Sequence, residues 1–151
     1  MRVWRIARSI YPALDGEGAR RHGARWTSPG IAAVYTAESL ALAVVELLVH
    51  TDPDLVPRDL AAYEIGVPDT LPVQRVSPKE LPGDWREIPG HPACRLLGDA
   101  WAAVGEIPLL AVPSAVVPEE TNYLLNPEHP QAAQVRVVSS RPFTFDPRLL
   151  G

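Results

Sequence analysis

Apolar and polar residues change period several times along this chain, and each change marks an element. Leu40, Ala43, Val44, Leu47 and Leu48 recur at i, i+3, i+4, i+7 and i+8, the stripe of a helix with one buried face. Ala93, Leu96, Leu97, Ala100, Trp101 and Val104 predict a second amphipathic helix, stopped by Gly105. Short apolar runs predict strands at Val3–Ile6, Leu60–Val67, Leu71–Val76, Leu109–Val112, Val135–Ser139 and Phe143–Phe145. Ser28-Pro29-Gly30-Ile31 reads as a type II turn, with proline presetting φ and glycine tolerating the positive φ at the third position. That turn predicts a hairpin pairing Ala24–Thr27 with Ile31–Thr36, and Thr36 is placed to cap the next helix through its hydroxyl.

Between these elements the chain is polar and punctuated. Ala13–His22 reads as a loop whose Arg20-Arg21-His22 cluster is either solvated or touches phosphate. Pro78–Pro92 is loop-rich and carries Trp85, and Glu119–Pro130 is polar around Tyr123-Leu124-Leu125. The 17 prolines are spread along the chain, which implies short elements and defined loops instead of one disordered tract. With no internal repeat and no boundary signal, residues 1–151 are expected to form a single domain. Strands with two helices between them predict an α+β (mixed α/β) fold, with mixed β-sheets and flanking helices.

Charge and cysteine content narrow the function classes. A net charge of −4 leaves no electrostatic footprint for nucleic acid or an anionic membrane. No apolar run reaches membrane-spanning length, and MRVWRIARS lacks the apolar core of a signal peptide. The single Cys94 excludes an intrachain disulfide and fits a reducing cytoplasm, as a small buried residue at a helix start. His22, His50, His91 and His129 are scattered without metal-ligand spacing, so no metal is expected.

One residue breaks its surroundings. Glu46 is the only acid from Ala41 to His50, and it lies roughly 130° from the centre of the apolar stripe at about 100° per residue. Burying it unpaired costs several kcal/mol, so it must meet a cation, hydrogen-bond donors or a wet cleft, unless it simply reaches solvent at the helix edge.

The stretch GARWTSPGIAAVYTAESLALAVVELLVH, Gly23 to His50, resembles the first motif block of the RES-domain proteins, the toxin half of bacterial RES–Xre toxin–antitoxin pairs. Two further blocks follow in the family's order: Val112-Pro113-Ser114, and Asn122-Tyr123-Leu124-Leu125-Asn126-Pro127. The family is named for an arginine, a glutamate and a serine, which match Arg25, Glu46 and Ser114. The resemblance implies a fold similar to ADP-ribosyltransferases and diphtheria-type toxins, with NAD as substrate. It also implies an Xre-type antitoxin with a helix-turn-helix domain that covers the active-site cleft and supplies any DNA contact.

The implied chemistry suits the residues. Cleaving the nicotinamide–ribose bond develops oxocarbenium charge, which a fixed carboxylate stabilises, and Glu46 is the candidate. Arg25 has the planar fork for a pyrophosphate or ribose edge, and Tyr35 a ring to stack on nicotinamide. Ser114 can bond substrate or hold Glu46 or Arg25, and Asn122 can reach the dinucleotide. Each has a bland alternative: Arg25 pairs with a surface acid, Tyr35 is a half-buried strand residue, Ser114 shapes a turn, and Asn126 before Pro127 starts one. His50 either tunes Glu46 or answers the helix macrodipole. Ser114 lacks a hydrolase elbow, and no glycine-rich strand–helix loop is present, so NAD is expected on a different architecture from a dinucleotide-binding fold. Hydrolysis or phosphorolysis of NAD leads. ADP-ribosyl transfer to a protein is the first alternative, and a non-catalytic antitoxin- or nucleotide-binding module the second.

Overall fold

A computed structural model describes residues 1–151. The chain runs β1 (Arg2–Arg8), α1 (Glu17–His22), β2 (Val34–Ala37), α2 (Leu40–Leu48), β3 (Leu60–Gly66), β4 (Val73–Arg75), α3 (Pro92–Val104), β5 (Leu109–Pro113), β6 (Thr121–Leu125) and β7 (Arg136–Pro142). All strands join one seven-stranded sheet of order β4-β5-β6-β2-β1-β3-β7. Only β4 and β5 run parallel, so the class is α+β, with one mixed sheet in place of several. No helix is long and apolar enough to cross a membrane.

Strand alternation sorts the core into two faces. Leu109 and Ala111 of β5 pack on one face with Val3, Val34, Tyr123 and Leu125. Leu110 and Val112 point to the other, where they meet Leu124 and the α3 residues Cys94 and Trp101. That same face carries α2. Its Leu42 and Ala43 pack on Ala37, Trp4 and Ile6, while Leu40, Val44, Leu47 and Leu48 close over Leu60, Ala62, Phe143 and Phe145. The predicted stripe faces the sheet but is only half-buried apart from Ala43, and the most deeply buried residue of α2, Leu42, lies outside it. Both helices lie on one face of the sheet, and a cleft opens between them.

Four local expectations are corrected. Ser28-Pro29-Gly30-Ile31 does turn, with Ile31 N–H donating to the Ser28 carbonyl and Gly30 at φ 99°. No hairpin follows, because both edges of β2 are occupied by β1 and β6, leaving Ala24–Thr27 no strand edge to join. Thr36 does not cap α2. It belongs to β2 and donates to the Tyr123 carbonyl, while Ser39, extended at φ −139°, accepts from Leu42 N–H at 3.0 Å. Ala13–His22 is not all loop, since α1 begins at Glu17. There Arg20 and Arg21 both grip Glu17 and hold its carboxyl down at about 2, so the basic cluster has its own acid. Finally, Phe143–Phe145 is no strand. It follows the last β3–β7 pair, Ala61–Pro142, and its two rings pack edge to face, 5.3 Å apart, beneath α2.

Candidate active site

Glu46 projects from the flank of α2 into the cleft, which measures about 310 Å3. Trp4 and Ile6 of β1, Tyr35 and Ala37 of β2, Ala43 and Leu47 of α2, and Asn122 of β6 share its walls with Arg25 and Trp26. Register explains the convergence. Asn122 pairs with Ala37 on one side and Val112 on the other. It points to the helix face as Leu124 does, and Ser114 follows Val112 by two residues onto the same face.

The carboxylate is held from one side only. Glu46 Oε1 accepts from Ser114 Oγ at 2.6 Å and from Asn122 Nδ2 at 2.8 Å. No protein donor reaches Oε2. Ser114 is fully buried and does not line the cleft. Its Oγ accepts from the amides of Val116 and Val117 at 3.1 and 3.0 Å, which occupies its lone pairs and sends the hydroxyl hydrogen to Glu46. Among the sequence readings of Ser114, the geometry matches both a group that holds Glu46 and one that shapes the following turn, and its hydroxyl does not open onto the cleft. The isolated acid thus meets donors and a cleft, where a simple helix-edge residue would meet only water.

Arg25 stands on an irregular segment that three contacts with α3 hold in place. Arg95 Nε donates to the Ala24 carbonyl at 3.2 Å, and Asp99 accepts from Ser28 N–H at 2.8 Å and Ser28 Oγ at 2.6 Å. Between them Gly98 lies so close to Trp26 that a Cβ there would sit 1.7 Å from its carbonyl oxygen. Only glycine allows that approach. From the other side Tyr35 Oη accepts from Trp26 N–H at 3.3 Å and bonds Thr27 Oγ1 at 2.8 Å. Burial pushes the Tyr35 phenol up to about 12, so it stays neutral. Its hydroxyl is therefore committed to the Arg25 segment, and only the ring faces the cleft.

Arg25 pairs with no surface acid. Its Nη1 donates to the carbonyls of Trp85 and Glu87 at 3.1 and 3.2 Å, and its Nε and Nη2 find no oxygen acceptor in the protein. The edge left open is the one a guanidinium uses for bidentate contact with an anion. The Cys94 thiol lies nearby, where burial raises its pKa against the opposing pull of Arg25. A second groove, about 360 Å3, meets the cleft at Ala24 and Arg25.

The structure brings Glu46, Arg25, Tyr35 and Asn122 to one cleft and places Ser114 behind Glu46. His50 sits at the exposed mouth. Asn126 stays outside, where its Oδ1 accepts from Glu128 N–H and starts the turn read from the sequence. Sequence reasoning missed the apolar walls Trp4 and Ile6, whose spacing of two in β1 was the available signal. It also missed Arg5, whose Nη1 donates to the Tyr35 carbonyl at 3.1 Å where β1 and β2 share a single registered pair, Trp4–Ala37. Burial lowers the Arg5 pKa, and its buried Nε has no partner.

Known proteins match this chain along nearly its full length. A Sphingobium sp. protein named Prs ADP-ribosylating toxin is 39% identical, covering 97% of this chain and 95% of its own. A Pseudomonas putida protein named Toxin Res is 40% identical, with 99% of both chains covered. The toxin–antitoxin complex MbcT–MbcA of M. tuberculosis contains a chain of the same fold, at a TM-score of 0.80 and 23% identity, over 99% of this chain and 86% of that one. The RES domain family model matches residues 2–146, and with these relatives it establishes that the chain belongs to the RES domain family.

Proposed function

We propose that this protein is the toxin of a toxin–antitoxin pair and cleaves the nicotinamide–ribose bond of NAD. The observation that carries the reading is the one-sided hold on Glu46: Ser114 and Asn122 both saturate Oε1 and leave Oε2 to the cleft. A carboxylate fixed in this way, half-buried among the apolar walls Trp4, Ile6, Ala43 and Leu47, turns its free oxygen toward developing positive charge. Glu46 stabilises the oxocarbenium ion, with Ser114 and Asn122 orienting it. The open edge of Arg25 takes the pyrophosphate, and the Tyr35 ring flanks nicotinamide. A cleft of about 310 Å3 is at the small end for a ligand pocket, so it accommodates the nicotinamide riboside half. The groove across Arg25 is then open to the rest of the dinucleotide.

The acceptor of ADP-ribose is water or phosphate in this reading. Transfer to a protein is the second reading, favoured by the name of the Sphingobium relative. The partner in this reading is an Xre-type antitoxin that covers the cleft near Arg25 and Glu46. The M. tuberculosis protein of the same fold, solved in a toxin–antitoxin complex, supports an antitoxin partner and no more. Incubating the purified protein with NAD, with and without phosphate, and resolving products by mass spectrometry tests all of this. Free nicotinamide with ADP-ribose marks hydrolysis, a phosphorylated ADP-ribose marks phosphorolysis, and a modified protein marks transfer. Intact NAD under every condition would leave the cleft a binding site only.

A further inference from the structure

Arg86 lies on the exposed loop between Trp85 and Glu87, outside the cleft walls, yet its contacts converge on Glu46. Its Nε donates to the Ala115 carbonyl at 2.8 Å and its Nη2 to the Val116 carbonyl at 3.3 Å. Those carbonyls belong to the same two peptide groups whose N–H ends, on Val116 and Val117, bind Ser114 Oγ. A charged donor on the oxygen of a peptide group polarises it and strengthens its N–H as a donor. Both amides therefore press on the acceptor side of Ser114, and its hydroxyl hydrogen is left for Glu46 Oε1. The backbone on either side of Arg86 is fixed independently, because Arg25 Nη1 takes the carbonyls of Trp85 and Glu87.

We infer that Arg86 is a positioning residue for the Glu46 carboxylate, acting through the 115–117 turn and Ser114. In the same geometry the Trp85–Glu87 strap couples the Arg25 side of the cleft to the Glu46 side. This rests on the proposed NAD cleavage. Arg86 touches no substrate, so its loss spares binding and lowers the chemical step.

Arg86→Gln is expected to lower kcat about tenfold with KM for NAD nearly unchanged, the low end of the effect of removing an outer supporting group, since water competes at this exposed site. Arg86→Lys keeps the charge without the two-pronged reach and recovers only part of the loss. The decisive comparison is the cycle with Ser114→Ala: if Arg86 acts through Ser114, Arg86→Gln lowers kcat little further on that background. A full tenfold loss there, or an unchanged kcat in Arg86→Gln alone, overturns the inference. Amide exchange by NMR gives an activity-independent arm, with Val116 and Val117 exchanging faster in Arg86→Gln and Arg86→Lys than in the parent. Unchanged exchange in a folded variant likewise overturns it. Absence of NAD cleavage by the parent protein is a different result, which sinks the proposed function and leaves the exchange measurement to decide the role of Arg86.

Discussion

Glu46→Gln is an unusually clean perturbation here, because both protein donors go to the same carboxylate oxygen. A glutamine can place its carbonyl oxygen where Oε1 accepts from Ser114 at 2.6 Å and Asn122 at 2.8 Å, and its amide where Oε2 faces the cleft. Every protein-side bond survives, and only the group presented to substrate changes. Two charge-assisted bonds become neutral ones, a loss of about 1 kcal/mol each, while a half-buried carboxylate no longer has to be desolvated. The balance is within about 1 kcal/mol, so Tm should move by no more than about 4 °C. Catalysis should suffer far more. A carboxylate about 4 Å from a unit of developing positive charge, at an effective dielectric of about 20, contributes about 4 kcal/mol, or about a thousandfold in rate. The assay is nicotinamide release from NAD under saturating conditions, paired with calorimetry of the same sample. Undiminished turnover would remove Glu46 from the mechanism. A large fall in Tm would mean that the amide is not accommodated as the geometry requires.

The remaining predictions bear on the frame around that carboxylate. Arg25→Lys loses the open bidentate edge and should weaken NAD binding about 10–100-fold by calorimetric titration, the equivalent of about one charged hydrogen bond; an unchanged dissociation constant makes Arg25 structural. Gly98→Ala puts a Cβ on the Trp26 carbonyl and should cost about 1–3 kcal/mol, a Tm drop of roughly 3–10 °C, and should weaken NAD binding because the same backbone carries Arg25. The Tyr35 phenol is held at about 12, above its ordinary value near 10, so the folded state keeps a proton the unfolded chain has released. Its contribution is complete below pH about 10 and is lost as pH rises toward 12. Tyr35→Phe should flatten that part of the alkaline stability curve, and an identical curve would refute the assignment.

How much of this was legible in one dimension depended on the range of the interactions involved. Periodicity is a local property, so α2, α3 with its Gly105 stop and most strands could be read directly. The buried faces themselves could not: Leu42 lies off the α2 stripe, and α3 buries Cys94, Gly98 and Trp101 while Leu96 and Val104 of its stripe are exposed. Glu46 was conspicuous because a lone acid in an apolar helix demands a partner, but the partner's identity was not encoded nearby. Ser114 and Asn122 lie 68 and 76 residues away, and only the β5–β6–β2 register brings them under α2. The motif blocks of the family put Arg25, Tyr35, Glu46, Ser114 and Asn122 on one short list without saying which opens onto the cleft. Burial decided that: Ser114 lies behind Glu46, and the Tyr35 hydroxyl is spent on Trp26 and Thr27. The failed hairpin has the same cause. A turn sequence fixes four residues, but whether its flanks pair depends on a free strand edge. β1 and β6 had taken both edges of β2, so Ala24–Thr27 found its hydrogen bonds on α3 and Tyr35. Gly98 and Arg86 carried no signal at all, since each matters through a backbone that is distant in sequence and adjacent only in the fold.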